Sequence, residues 1–249
     1  MNDSALQRRF HRNADEARFY NRLDNPWLRE RELAFARSLA ALAPGSPTVL
    51  ESGCGEGSNL YFLNRVLPGA SLHGIDFSPA KVEFARRLLP FASFQAADAL
   101  RLPYPDASFD LVFCRDLLHH VDFDRPGVLR EMWRVAKPGA WLAIFEARGS
   151  CPLNLLFQLL YPAERGLKNS SAPSLEALGR ELGEPEISFV SPTLVLPAAG
   201  FILGWPQSAV LRGLCNIAYA GAWALDRTLQ KISPVSRWPY MLLTLQKAS

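Results

Sequence analysis

The residues best suited to chemistry open a short run at 49–60, "VLESGCGEGSNL", where apolar residues lead into Glu51 and then Gly53, Gly55 and Gly57 at alternate positions. This is the pattern of a strand end, a glycine loop and a helix start. It brings backbone N–H groups to a ligand, and glycine is required because a Cβ would block the approach. Dinucleotides and adenosyl sulfonium compounds both use the device. The dinucleotide fingerprint is GxGxxG, with the helix dipole facing a pyrophosphate. Here the spacing is GxGxG, and Ser58 stands where the last fingerprint glycine belongs.

Glu51 separates the two ligand classes. A carboxylate at this loop repels a pyrophosphate, whereas it accepts hydrogen bonds from an ammonium and complements a sulfonium. S-adenosylmethionine carries both cations and no phosphate, so Glu51 favours it over a nicotinamide dinucleotide, while a tight turn that packs helix on strand is the plainer alternative for the loop alone. Asp76 closes "SLHGID" about twenty residues after the loop, where an acid takes both ribose hydroxyls. Phe77 offers a face to adenine, while Asp98 in "FQAADAL" can accept from the exocyclic amine and the adjacent backbone at Ala99 can read the ring edge. Any one of these acids could be a helix cap or a solvated strand end. Three acids at three successive strand ends argue for a ligand. Cys54 inside the loop reads as a small packed residue rather than a nucleophile.

On the acceptor side the titratable groups are His119 and His120 in "DLLHHV" and Glu146 in "AIFEARG". His120 is suited to take a proton from a hydroxyl, with Glu146 orienting the imidazole. The plainer alternatives are a pocket wall for His120, packing for His119 and backbone N–H acceptance for Glu146. In the N-terminal "RFYNR", Tyr20 is a candidate to cover the cofactor's amino-acid end. No metal is expected, because Cys54, Cys114, Cys151 and Cys215 form no CxxC pair and share no ligand spacing with histidine.

The elements that must position these groups alternate. A helix is expected over 28–42, then strands at "TVLE", "SLHGID", "ASFQAAD", "FDLVFCR" and "AWLAIFEA", separated by helices over 57–67, 79–89 and 125–136, with "KPG" as a turn. Such a rhythm builds a parallel sheet covered on both faces, with ligands at the carboxyl ends of its strands. Beyond residue 148 a helix capped by Ser174, then "EISFVS" and "YMLLTLQK" as an antiparallel pair, are expected. Between those strands lie roughly 45 residues, far more than a hairpin needs. The chain of 249 residues thus reads as one domain: an N-terminal helical cap over 1–44, a cofactor core over 45–148 and an acceptor side over 149–249 with an apolar insertion at about 193–237.

The net charge of +3 is scattered, so no nucleic-acid partner is indicated, and the N-terminus is too polar for a secretory signal. A cytoplasmic protein is expected. Pro192, Pro197 and Pro206 break the uncharged run, which disfavours a transmembrane span. Trp205, Trp223 and Trp238 with Arg212, Arg227, Lys231 and Arg237 instead suit peripheral contact at the inner face of a membrane. The same apolar insertions could cap a small or lipid-like acceptor, form a small core of their own, or make a homodimer contact.

The segments "VLESGCGEGSN", "GIDFSPAKVEFAR", "ADALRLPYPDASFDLVFCRDLLHHV" and "LREMWRVAKPGAWLAIFE" resemble the successive motifs of class I S-adenosylmethionine-dependent methyltransferases, in the branch called methyltransferase type 11. The resemblance implies an α/β, Rossmann-like seven-stranded sheet, mostly parallel with the last strand antiparallel, with helices on both faces. It places Arg115 where the family touches the cofactor, and it makes the "HHV" element a closure of the cofactor pocket. No "NPPY"-like or "DPPY"-like motif follows the fourth strand, which weakens the case for a nucleobase or amide nitrogen. The expected activity is therefore methyl transfer to a small or lipid-like acceptor at oxygen. The alternative from another class is a non-catalytic cofactor-binding subunit whose apolar cap docks a protein partner.

Overall fold

The computed structural model describes residues 12–190, 195–206, 208–232, 234 and 239–248. Trp238 and Arg237 of the expected interfacial set, and Pro192, lie outside them. The described residues open with two helices, α1 (Glu16–Asp24) and α2 (Pro26–Leu42). Asp15 and Asn25 cap them through their side-chain oxygens, and Pro26 supplies the fixed φ of a first helical turn. The buried residues of α2 are Leu28, Glu32, Ala36 and Leu39, a single helical face.

The core then alternates as expected: β1 (Thr48–Ser52), α3 (Ser58–Val66), β2 (Ser71–Asp76), α4 (Pro79–Leu88), β3 (Ala92–Ala96), β4 (Phe109–Arg115), a 3₁₀ turn at Leu118–Val121, α5 (Arg125–Val135) and β5 (Ala136–Ala147). After a helix α6 (Pro152–Leu160) and a 3₁₀ segment at Pro162–Asn169 come α7 (Ala172–Arg180), β6 (Glu186–Val190), α8 (Val195–Leu203), α9 (Ala209–Ile232) and β7 (Tyr240–Gln246). Among the described residues the strands form one seven-stranded sheet in the order β3-β2-β1-β4-β5-β7-β6. β1 pairs parallel with β2 and β4, whereas β7 runs antiparallel to both β5 and β6. The chain turns from one side of the sheet to the other between β1 and β4, the switch point where such sheets open a crevice.

The central strands bury both faces, so their residues sort by parity into two cores. Leu50, Val112, Cys114, Leu142 and Ile144 face α5 with Val128, Leu129 and Met132. Val49, Leu111, Phe113, Ala143 and Phe145 face the other way, toward Leu39, Leu60 and Leu63. A third, smaller core joins Leu28 of α2 to Leu196, Tyr219 and Ala222 of the cap helices. The buried Asp226 carboxylate accepts from the Val195 and Leu196 N–H groups at 2.9 and 2.8 Å, holding the first turn of α8 against α9. The insertion thus packs against α2 through this shared core and still leaves one face of α9 exposed through Val210, Leu214 and Ile217.

Two local expectations are corrected. The cap of α7 is Ser171, whose oxygen accepts from the Ser174 N–H, because the helix begins at Ala172 with Pro173 in its first turn. β5 starts at Ala136 rather than after "KPG", with a register shift against Phe109 and Leu111 and Gly139 at φ +79° absorbing the irregularity.

Candidate active site

The glycine loop is held by β2. Gly53 and Cys54 both donate their N–H to Ile75 O at 2.8 Å, and Gly57 donates back to Cys54 O at 2.9 Å. Gly53 has φ +76°, and a Cβ there would lie 2.8 Å from Leu117. Gly55 has φ +53°, and its missing Cβ would meet nothing within 4 Å, so the loop leaves open space beside its bare backbone. Asp76 receives the loop: its Oδ2 accepts from Gly55 N–H and its Oδ1 from Ser78 N–H, each at 2.9 Å. Both oxygens keep a lone pair for a ligand.

A cavity opens over this loop. It is lined by Gly53, Cys54, Gly55, Asp76, Phe77, Asp98, Ala99, Arg115 and His120 among the expected site residues. Asp98 also accepts from Leu100 N–H at 3.0 Å, so it partly serves its own turn. Cys54 is buried with its thiol against the Gly74 position, and burial beside Asp76 pushes the thiol well above its ordinary range, so it offers no thiolate.

Glu51, Gly57 and Glu146 stand outside the lining. Glu51 is fully buried behind the loop; its Oε1 accepts from Asn59 Nδ2, and Asn59 Oδ1 accepts from Arg115 Nη1 at 3.1 Å. Its Oε2 is buried with no hydrogen-bond partner among the described residues. Gly57 caps α3 with φ +80°. Glu146 is fully buried on the other face of β5, where it pairs with His119 Nδ1 and accepts from Leu118 N–H at 3.3 Å and Ser170 Oγ at 3.2 Å. The structure therefore joins Glu146 to His119, while His120 faces the cavity with its ring 4.0 Å from that of His119.

His119 is held on its other side by Glu164, 3.3 Å from Nε2. Burial alone would lower its pKa, but the Glu146 charge and hydrogen bond, with Glu164, carry it up to about 10. His119, His120 and Glu164 bring potential ligand atoms within 4.8 Å of one another. Protonated His119 donates from both ring nitrogens to carboxylates, so a cation there would have to displace its proton and compete with Glu146.

Sequence reasoning missed the part of the cavity built by α1. Arg18, Phe19 and Arg22 line it, whereas Tyr20 is 42% exposed and points elsewhere. Arg22 donates to Ser58 Oγ at 2.8 Å, tying α1 to the start of α3. Arg115 is buried: it pairs with Glu32 of α2 and stacks 4.4 Å over Phe35. Burial pushes Glu32 up, but Arg115, Arg22 and Arg31 outweigh that and hold it as a carboxylate. The residue types of α1 alternate so closely that only its packing decides which face meets the ligand.

S-adenosylmethionine fits these donors and acceptors. Bound there, its ribose diol would meet Asp76, its adenine Phe77 and its carboxylate the Arg18 and Arg22 guanidiniums, while the buried Glu51 carboxylate would complement its ammonium from behind the loop. The structure also changes the reason Glu51 matters. Burial pushes it up to about 8, against the Asn59 hydrogen bond and the Arg115 charge, so it is largely protonated at neutral pH. A bound cation favours its ionised form and releases the proton. Affinity for S-adenosylhomocysteine is therefore expected to rise by up to about tenfold per pH unit on approaching pH 8 and to level off above it. Calorimetry across pH checks this, and Glu51→Gln should flatten the profile.

Strand order, glycine loop and the acids that follow it define the fold of class I S-adenosylmethionine-dependent methyltransferases. Residues 50–144 match the family model described as "Methyltransferase domain". It is 36% identical over 129 residues to the demethylmenaquinone methyltransferase of Deinococcus radiodurans, covering 50% of each chain. It is 32% identical over 175 residues to the 27-O-demethylrifamycin SV methyltransferase of Amycolatopsis mediterranei, covering 66% of this chain and 57% of that one. The match thus spans 50% and 57% of the length of these relatives. The fold superposes on the plantazolicin methyltransferase BpumL in complex with SAH with a TM-score of 0.63, at 19% identity, over 99% of this chain and 95% of that one.

Proposed function

We propose that the protein is an S-adenosylmethionine-dependent methyltransferase acting on an oxygen of a small or lipid-like acceptor. The observation that carries the reading is the Asp76 carboxylate, fixed by two backbone N–H groups at the rim of an open glycine loop, with the orphaned Glu51 oxygen behind it. When bound, the cofactor supplies an electrophilic methyl group on a sulfonium with a good leaving group. The protein's task is then to hold an acceptor in line at contact distance and to exclude water. His120 on the cavity wall can take the acceptor's proton. The oxygen assignment is supported by the name of the rifamycin relative, which specifies an O-linked methyl group, and by the missing "NPPY"-like motif.

Among the described residues no helix is long and apolar enough to cross a membrane. The exposed apolar face of α9, with Arg212, Arg227 and Lys231 on the same helix and its one acid, Asp226, buried, supports peripheral contact with an anionic membrane.

One experiment tests these points together. Methyl-labelled S-adenosylmethionine is incubated with the protein and a host extract, with and without phosphatidylglycerol vesicles, and label is followed into organic and aqueous phases. Label in an organic-soluble methyl ether, increased by vesicles, is expected. His120→Ala should cut the rate by about a hundredfold while sparing S-adenosylhomocysteine affinity. No transfer in either phase would favour the cofactor-binding subunit instead. Transfer indifferent to vesicles would leave the α9 face to a homodimer contact.

A further inference from the structure

We propose that a second, apolar cavity beside the cofactor cavity is the acceptor's seat, and that it selects a flat aromatic molecule bearing a hydroxyl group. This rests on the transferase reading above and specifies its substrate class. The cavity has a volume of about 490 Å³ and lies between α2, the ends of β5 and β6, the start of β7 and the cap helices α8 and α9. That volume suits a small organic ligand. Six aromatic side chains line it: Trp27, Phe35, Phe145, Phe189, Trp223 and Tyr240. Phe35 and Phe145 meet edge-on with centroids 4.0 Å apart, and Trp27 and Trp223 lie 6.4 Å apart across the join between α2 and α9. Ring faces and edges at such angles favour stacking on a planar guest over a flexible chain.

Besides Glu30, Arg31 and Ser38 of α2, the polar lining of this cavity is the wall it shares with the cofactor cavity. Arg115 lines both. Tyr240 lines the apolar cavity and donates its hydroxyl to Asp116 Oδ2 at 2.9 Å, while Asp116 lines the cofactor cavity. Asp116 occupies the left-handed region at φ +54°, a conformation that costs energy outside glycine and is common at binding sites. Its Oδ1 is buried with no hydrogen-bond partner among the described residues. Asp116 lines the cofactor cavity and not the apolar one, so a guest stacked on the rings would present its hydroxyl past Tyr240 into the cofactor cavity, where it would supply the donor that Asp116 Oδ1 lacks. The neighbouring Arg115 guanidinium favours negative charge on that oxygen. An aliphatic or hydroxyl-free guest uses only half of the site.

The test uses 1-naphthol and naphthalene as probes, with binding read from quenching of tryptophan fluorescence and S-adenosylhomocysteine affinity read by calorimetry. Ala34 lines the mouth of the cavity from an exposed position on α2, so Ala34→Trp should block entry without disturbing the core. The expected result is that 1-naphthol binds about tenfold more tightly than naphthalene and that Ala34→Trp weakens both by about tenfold or more. Asp116→Asn, which tolerates the same backbone conformation, should remove the preference for 1-naphthol. S-adenosylhomocysteine should bind alongside the probe. Equal binding of the two probes, indifference to Ala34→Trp, or displacement of 1-naphthol by S-adenosylhomocysteine would each overturn the proposal. Failure of S-adenosylhomocysteine to bind the wild-type protein would instead sink the cofactor reading, while the two probes still decide this one.

Discussion

Asp76→Ala is expected to weaken S-adenosylhomocysteine binding by about a hundredfold or more. Two charge-assisted hydrogen bonds from a ribose diol, each contributing about 1.5–3 kcal/mol, set that scale. The carboxylate has a second task that adds to the loss. It accepts from the N–H of Gly55 and of Ser78, so its removal leaves two backbone donors without their partner and frees the loop that forms the floor of the cavity. Asp76→Asn separates the two tasks, since its single carbonyl oxygen can keep one backbone bond but cannot serve both N–H groups and the diol. An intermediate affinity is expected for Asn, with a thermal midpoint nearer the wild type than that of Ala. If Asp76→Ala lowered the midpoint while affinity changed less than about threefold, Asp76 would be a loop support and the ribose would be held elsewhere.

The cofactor half of this site was legible because it depends on local order. A strand that ends in an acid, as "SLHGID" does at Asp76, places that acid at the sheet edge whatever the rest of the chain does, since strand direction and the crossover rule leave little choice. The acceptor half depends on partners far apart in sequence. Arg115 meets Glu32 across 83 positions, and neither residue announces the other. That pairing exists only because α2 lays Ala36 and Leu39 against the sheet, which brings Glu32 over the end of β4. In the same way, periodicity put His120 and Glu146 at one edge but could not show that Cys114 and Glu146 share a face opposite to that of Arg115 and Phe145. Parity along β5 is the signal that could have separated them. A residue one place beyond Phe145 must point to the other side of the sheet.

Parity also defines the second large effect, which falls on the fold rather than on the ligand. Glu146→Ala is expected to destabilise the protein by about 3–5 kcal/mol at neutral pH, because it leaves a buried charge without its principal partner. His119 would retain only Glu164, whose side chain is 23% exposed, and the Leu118 N–H and Ser170 hydroxyl would lose the acceptor they share. The pH dependence distinguishes this from a simple cavity. The folded-state pKa of His119, at about 10, lies above the unfolded value, so the stability that its charged form contributes is fully present below about pH 6.5 and is lost as pH rises through about 10. The gap between wild type and Glu146→Ala in urea unfolding should therefore be widest in mild acid and narrow toward pH 10. A gap constant from pH 6 to 10 would mean that His119 is neutral and that Glu146 acts through Leu118 and Ser170 alone. Because the Leu118–Val121 turn carries both His119 and His120, loosening it should also lower turnover through His120, although Glu146 never reaches the cavity.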